Sequence, residues 1–288
     1  MKKYIMFAAA VALSFAGRAQ AQETATQATV TKVVGTASFT VAGGSAQTIA
    51  AGTKLPQGAE ITTGDKSQVT VEAHEGIVAI AGSKTTFTVE KLSVSGNGTR
   101  NAVLALKSGN IASSLDPAKK SSNNYSVRTA KGTAAARGTT YSVAYDGVTY
   151  SVTVVAGVVQ SFNASGAAVN VTAGQVSSNS GSGATMQTLA EAVASNPTMG
   201  DGLSLLASAV ASVSTNLADV TAVIGTIASS AGTGQTATNV VASATAAAAS
   251  TAATNSNLTS TGGGSTSVAS TLVGAAVNAS AAAGNAAA

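Results

Sequence analysis

The chain has no cysteine, no tryptophan, one histidine and three prolines in 288 residues. Without thiols it forms neither disulfides nor thiolate metal sites, and no N-terminal cysteine is there to carry a lipid. Charged residues make up 9% and aromatic residues 3% of the sequence. A nucleic-acid surface needs a dense basic stripe with interleaved aromatics, so that class of partner is not expected. Catalysis has little to work with. His74 is the one imidazole, and no G-x-S-x-G elbow presents a serine to it. No carboxylate pair stands out, and no Gly-rich loop leads into a helix through Lys-Ser/Thr. The expectation is a protein without enzymatic activity and without a cofactor or metal.

What is there begins with an export signal. Lys2 and Lys3 precede a short apolar run over 4–17, and Ala19-Gln20-Ala21 is an A-x-A cleavage site. Cleavage between Ala21 and Gln22 would place the mature chain in the periplasm, outside the cell or on its surface. The apolar run is shorter than the about 20 residues a spanning helix takes, so no integral span is expected after cleavage. Loss of Lys2, Lys3 and Arg18 leaves 12 of the 15 basic residues against 11 acidic ones, a net charge of about +1.

Composition then changes along the chain. No Lys or Arg follows Arg137, no aromatic follows Phe162, and the only charges after Gly138 are Asp146, Glu191, Asp201 and Asp219. This shift divides the sequence into a signal over 1–21, a β domain over 22–176, a flexible Ser/Gly linker over 177–184, and an Ala/Ser/Thr-rich tail over 185–288.

In the β domain, turn residues recur at short intervals, among them Gly64-Asp65, Gly82, Ser108-Gly109, Asp146-Gly147, Gly157 and Gly174. Between them, residues such as Val69/Val71/Ala73 and Leu104/Leu106 alternate with the period of a half-buried strand. Asp146-Gly147 between 141–145 and 148–154 suits a type I′ hairpin, whose two central residues take positive φ. Many short strands at this spacing imply a sandwich, barrel or solenoid.

Several phrases recur in a fixed order. Gly52, Leu55, Gly58, Ile61, Thr63-Gly64, Ser67 and Val69/Val71 come first. Leu104-Ala105-Leu106-Lys107-Ser108-Gly109-Asn110-Ile111 follows, then Y-S-V-R-T-A-K-G-T-A-A-A-R-G-T-T-Y-S-V over 125–143. Val154-Val155-Ala156-Gly157-Val158-Val159 and Ala173-Gly174-Gln175 close the set. In order and spacing these residues resemble the FecR domain, a β module found outside the cytoplasm of many bacteria. Ala130-Lys131 stands where the family usually has a Pro-containing step, and Tyr141 where Phe is common. The resemblance implies a FecR-like β-solenoid or sandwich of many short antiparallel strands. It also implies a protein partner in the cell envelope. The anti-sigma segment and membrane helix of the iron-citrate regulators are not read in this sequence.

Two residues are weighed for function. His74 with Glu72 would share a strand face as metal ligands, but Glu75-Gly76 argues for an exposed hairpin turn. Arg137 is read mainly as structural, its donors tied to carbonyls or an acid of the same domain. It is retained as a contact for a partner's carboxylate.

The tail holds one ordered pattern. Leu203, Leu206, Val210, Val213, Leu217, Val220, Ile224 and Ile227 recur at spacings of three and four, the seam of a helix that packs along another. A single helix over 201–230 is expected, capped by Asp201 and followed by Gly232. Its partner would be the segment with Met186, Leu189 and Val193, the Ala-rich run 240–253, the stretch 268–277, or a second copy of the chain. The functional expectation is an exported, non-enzymatic module for structure or protein–protein interaction, with self-association through these helices as one route. Envelope signalling beside a receptor or sigma-factor regulator, and a surface-layer or matrix role, are the other readings.

Overall fold

The computed structural model describes residues 23–180, 183–196, 199–255, 258, 270–272 and 274. The expected cleavage site at Ala21 and Gln22 and the stretch 277–288 lie outside the described residues. Eighteen strands precede four helices among the described residues. The first nine strands are β1 (Thr24–Ala25), β2 (Ala28–Val34), β3 (Ala37–Thr40), β4 (Gln47–Thr48), β5 (Lys54–Leu55), β6 (Glu60–Thr63), β7 (Gln68–His74), β8 (Ile77–Ala81) and β9 (Thr86–Val94). They are followed by β10 (Arg100–Leu115), β11 (Asn123–Thr129), β12 (Gly132–Ala136), β13 (Thr140–Tyr145), β14 (Tyr150–Ala156), β15 (Val158–Asn163), β16 (Ala168–Thr172), β17 (Gln175–Asn179) and β18 (Ala184–Thr188). The helices are α1 (Leu189–Ser195), α2 (Met199–Val213), α3 (Leu217–Ser230) and α4 (Gln235–Ala252).

The strands form two sheets that share one long strand. In the first sheet the order is β16-β15-β12-β11-β10-β9-β6-β3-β4, with β1 at the far end of β9. In the second it is β5-β2-β7-β8-β10-β13-β14-β17-β18. The sixteen-residue β10 serves both, pairing through Arg100–Ser108 in the first sheet and Gly109–Leu115 in the second. One pairing departs from the all-antiparallel expectation: β10 and β11 run parallel, Arg100 opposite Asn123. The chain can do this because Pro117–Lys119 forms a turn of 3-10 helix that returns it to the start of β10.

Most turns that the sequence announces are crossings from one sheet to the other. The chain changes sheet near Gly35, Gly64, Gly82, Gly138, Gly157 and Gly174, and inside β10 at Gly109. Inward residues of both sheets then meet in one core, led by Tyr125, Tyr141, Tyr150, Phe87, Leu55, Ile61, Leu92, Leu104 and Ile111. Period-two alternation supplies this core: Phe87 and Val89 point in along β9 while Thr86 and Thr88 stay on the wetter face, and a register shift at Glu90 changes the phase so that Leu92 also points in.

A second core lies on the other side of the second sheet. Val78, Ile80, Ala112, Val155 and Val176 face outward from that sheet and pack against the helices. Seven of the eight seam residues are buried there, and Val213 is half-buried. Helix α2 goes further than a seam. Gly202, Leu203, Leu205, Leu206, Ala207, Ser208, Ala209, Val210 and Ala211 are all buried, as expected of a helix enclosed on every side. The residues between its large apolar positions are Gly, Ala and Ser, small enough for β10 to approach on one side and α4 on the other. The Ala-rich run is thus the helical partner of α2.

Four local expectations are corrected. The seam is two helices, because Asn216 breaks it: its Oδ1 accepts a hydrogen bond from the Ala218 amide at 2.9 Å and starts α3. Asp201 sits in the first turn of α2 and does not precede it. The stretch 177–184 does not act as a free linker, since β17 pairs with β14 and β18 pairs with β17 on either side of 181–182. Asp146-Gly147 opens a four-residue loop: Tyr145 faces Tyr150, and the Asp146 carboxylate accepts the Val148 and Thr149 amides. An Asx turn therefore stands in place of the two-residue type I′ turn.

Candidate functional site

The signature over 125–143 forms β11, β12 and the start of β13, with a sheet crossing at Arg137-Gly138-Thr139. Gly138 has φ +69°, and a Cβ placed there would lie 2.9 Å from Pro117 Cα and 3.2 Å from Lys120 Cβ. Only glycine meets both demands, a left-handed backbone and contact with the 3-10 turn. Thr139 is buried. Its hydroxyl donates to the Val158 carbonyl at 3.2 Å, and its own carbonyl accepts the Leu115 amide at 3.0 Å. Those bonds weld three strands at the corner.

Arg137 is carried on this corner but takes no part in the weld. It is exposed and makes no hydrogen bond or ion pair with any described residue, so its donors are not tied within the domain as expected. Lys120, brought beside Gly138 by the 3-10 turn, is likewise exposed. Among the three arginines of the described residues Arg137 alone holds no carboxylate, although Lys32, Lys54, Lys66 and Lys131 hold none either. Lys84, Lys91, Arg100, Lys107, Lys119 and Arg128 each hold a carboxylate.

Beside the corner lies a groove of about 310 Å³ between the second sheet and the break from α2 to α3. Its apolar wall includes Leu115, Pro117, Val155, Val210, Val213 and Val223, and Gly138 forms part of its edge. Asp116 and Asp219 are the ionisable residues of its lining. Asp116 is occupied in part, accepting the Ala118 amide at 2.9 Å, whereas Asp219 is exposed in the first turn of α3. The groove thus offers apolar floor and carboxylates, with Arg137 and Lys120 next to it. Arg137 is visible in the sequence, but the groove is not, because it needs the Ser214-Thr215-Asn216 break to exist.

A larger cavity of about 610 Å³ opens where α2 starts over the second sheet. Its floor is polar, with Asn110, Ser142, Ser151 and Thr153, and α2 contributes Leu203 and Leu205 to its lining. Gly202 brings the helix within reach of Asn110 and Ser142.

The remaining titratable groups are structural. Tyr125 and Tyr141 meet edge to face, ring centres 6.3 Å apart. The Tyr125 hydroxyl pairs with Ser113 at 2.8 Å, and that of Tyr150 with Ser161 at 3.2 Å. Burial pushes all three phenols well above their ordinary range, which keeps them neutral and unfit for proton transfer. His74 ends β7 at the Glu75-Gly76 hairpin turn, with Nε2 3.2 Å from the Asn101 carbonyl oxygen. Among the described residues no three His, Asp or Glu side chains gather as a metal site.

The hairpin end sets a pH response. Burial lowers the His74 pKa, Arg100 lowers it further, and the Asn101 carbonyl opposes both. Lys119 holds the Glu75 carboxyl low through a hydrogen bond and its charge, and Lys91 does the same for Glu23. The signs agree. A histidine whose folded pKa is depressed gives stability above its unfolded pKa of about 6.5 that is lost as pH falls through that value. Depressed carboxyls give stability that is lost lower still, as pH falls through their folded values. Unfolding midpoints should therefore decrease from pH 7 towards pH 5, and His74→Gln should flatten that segment; an unchanged slope would refute the assignment to His74.

Comparison with known proteins adds one firm match. No curated protein matches the chain. Two crystal structures of a proposed anti-sigma factor from Parabacteroides distasonis, at 1.65 and 2.50 Å resolution, are similar at 14% and 13% identity with TM-scores of 0.38 and 0.37. Each alignment covers 45% of this chain and 59% of the other, so this chain spans under two thirds of the length of those proteins. The family described as FecR protein matches residues 59–160, which run from β6 to the first half of β15 and include the Gly138 corner, and this is the family the resemblance in the sequence had indicated.

Proposed function

We propose that the protein is an exported interaction module of the bacterial envelope, without enzymatic activity, that seats a protein partner at the Gly138 corner. The observation that carries this reading is Arg137. In a chain with few charges, an exposed guanidinium without a partner among the described residues, on a corner that glycine and buried bonds hold rigid, is suited to bidentate capture of a carboxylate. The adjoining apolar groove supplies the burial that an isolated surface ion pair lacks. The FecR match supports a partner from envelope signalling, a receptor or a sigma-factor regulator.

The chain's lack of cysteine makes the test direct. Arg137→Cys carrying a photo-crosslinker should give one discrete adduct in intact envelopes. Arg137→Glu should reduce recovery of that partner about tenfold, the scale of one charge-assisted contact of about 1.4 kcal/mol. Retention of uncleaved protein in the cytoplasm, or equal recovery with Arg137→Glu, would end the proposal.

A further inference from the structure

The outer face of the second sheet packs on the helices through Val78, Ile80, Val155 and Val176, yet part of that face is polar. Asn110, Ser142, Ser151 and Thr153 line the cavity of about 610 Å³ at the start of α2. Ser142 and Thr153 are each 5% exposed and stand directly opposite one another on β13 and β14. Neither hydroxyl makes a hydrogen bond with any described residue, and nor does that of Ser151. Asn110 Oδ1 is buried and equally without a partner among the described residues. The same face shows what a structural pair does: Ser114 and Thr140, also opposed across strands, join their hydroxyls at 3.1 Å. A buried hydroxyl left unpartnered lowers stability, so the Ser142–Thr153 row does not serve the fold. The roof leaves these groups free. Gly202 stands above them in α2, where a Cβ would lie 3.0 Å from Asn110 Nδ2 and 3.9 Å from Ser142 Oγ, although glycine inside a helix is itself unfavourable.

We infer that this cavity is a binding site for a neutral sugar, held by its hydroxyls on Asn110, Ser142, Ser151 and Thr153. Each of these four side chains both donates and accepts hydrogen bonds, and a sugar hydroxyl does the same. Opposed strand positions hold their Cβ atoms about 4.5–5.5 Å apart, so the floor offers a close cluster of such groups to a ligand equally dense in them. An apolar ligand would leave all four unpartnered. Charge excludes ions. Among the described residues the charged ones of the lining are Asp65, Lys66 and Asp201, all exposed. An anion would meet two carboxylates and one ammonium there, and a cation would find no gathered set of three acidic or imidazole side chains. Leu203 and Leu205 give the C–H face of a sugar ring an apolar wall. The volume lies within the roughly 300–1,000 Å³ of small-molecule sites. No lining residue is shared with the groove beside Gly138, so the two sites stand or fall separately.

Calorimetric titration of the exported full chain with maltose, N,N′-diacetylchitobiose and the pentamer of each should give a dissociation constant of about 0.1–5 mM for at least one of them. Tighter binding of a pentamer than of its dimer assigns a unit within a glycan chain, and equal binding assigns the free sugar. Glucuronate and glucosamine, an anion and a cation, should bind at least tenfold more weakly. The double variant Ser142→Ala, Thr153→Val should weaken the sugar at least tenfold without lowering the melting temperature, since neither hydroxyl has a partner in the described fold. Gly202→Ala favours the helix but narrows the cavity over Asn110, and it should weaken binding as well. The inference is overturned if none of the four neutral sugars binds at about 50 mM and the cavity holds water only. It is overturned equally if a charged sugar or triglycine binds as tightly as they do, or if both variants bind sugar as the unaltered chain does.

Discussion

Gly109→Ala should cost about 3–5 kcal/mol of folding stability, at the upper end for a single substitution. Gly109 is where β10 leaves the first sheet for the second, with φ +96°. A Cβ there would lie 2.4 Å from Thr85 Oγ1 and 2.6 Å from Thr85 Cα. The left-handed backbone alone costs an alanine about 1–2 kcal/mol. The close contact adds more, because Thr85 Cα belongs to the backbone of the β8–β9 crossing and cannot rotate away. Thr85 is also fixed on several sides. Its amide donates to Thr63 Oγ1 at 2.8 Å, and its hydroxyl accepts the Asn110 amide at 3.1 Å. Gly98→Ala is the matched control, with φ +81° and open space where the Cβ would go, and should cost about 1 kcal/mol. Denaturant titration of both variants measures the difference. Equal losses would mean that the stacked crossings at Gly82–Thr85 and Gly109 do not hold the two sheets together.

The same crossings mark how far the sequence could be read. Strand positions were legible because inward residues such as Val69/Val71/Ala73 and Phe87/Val89 alternate strictly, and alternation is a local property. Sheet membership was not. A glycine turn between two alternating runs looks the same whether the second strand folds back beside the first or crosses to the other sheet. The parallel pairing of β10 with β11 was hidden for the same reason, since it depends on the 3-10 turn at Pro117–Lys119 delivering Asn123 next to Arg100.

In the tail, spacing concealed a boundary. Val213, Leu217 and Val220 keep the four-and-three rhythm straight through the break at Asn216, so two helices read as one. Composition misled at 177–184, where Ser and Gly suggested a linker. The pairing of β17 with Tyr150–Val154 there is a distant contact that no local window contains. For the candidate site, Arg137 was visible as the last basic residue of the chain. Its freedom was not, because the absence of a nearby acid in space cannot be read from neighbours in sequence.

The layered arrangement carries the second large prediction, for Leu206→Asp. Leu206 is fully buried in α2, in the core shared by the helices and the outer face of the second sheet. An unpaired carboxylate at that position is costly enough that the helix must leave its site rather than bury it, a loss of about 4 kcal/mol or more. The core between the sheets contains no helix residue, so it should survive. Unfolding of Leu206→Asp should therefore split into two transitions, with the helical signal lost first and the strand signal retained to higher temperature. The released sheet face would expose Val78, Ile80, Val155 and Val176, and a patch of that kind binds hydrophobic dyes and drives aggregation. A chain ending at Gly183 should behave as the variant does after its first transition: cooperative in melting, dye-binding and poorly soluble. If Leu206→Asp unfolds in one step, or if the shortened chain shows no cooperative melt, sheets and helices form a single folding unit and the β domain does not stand alone.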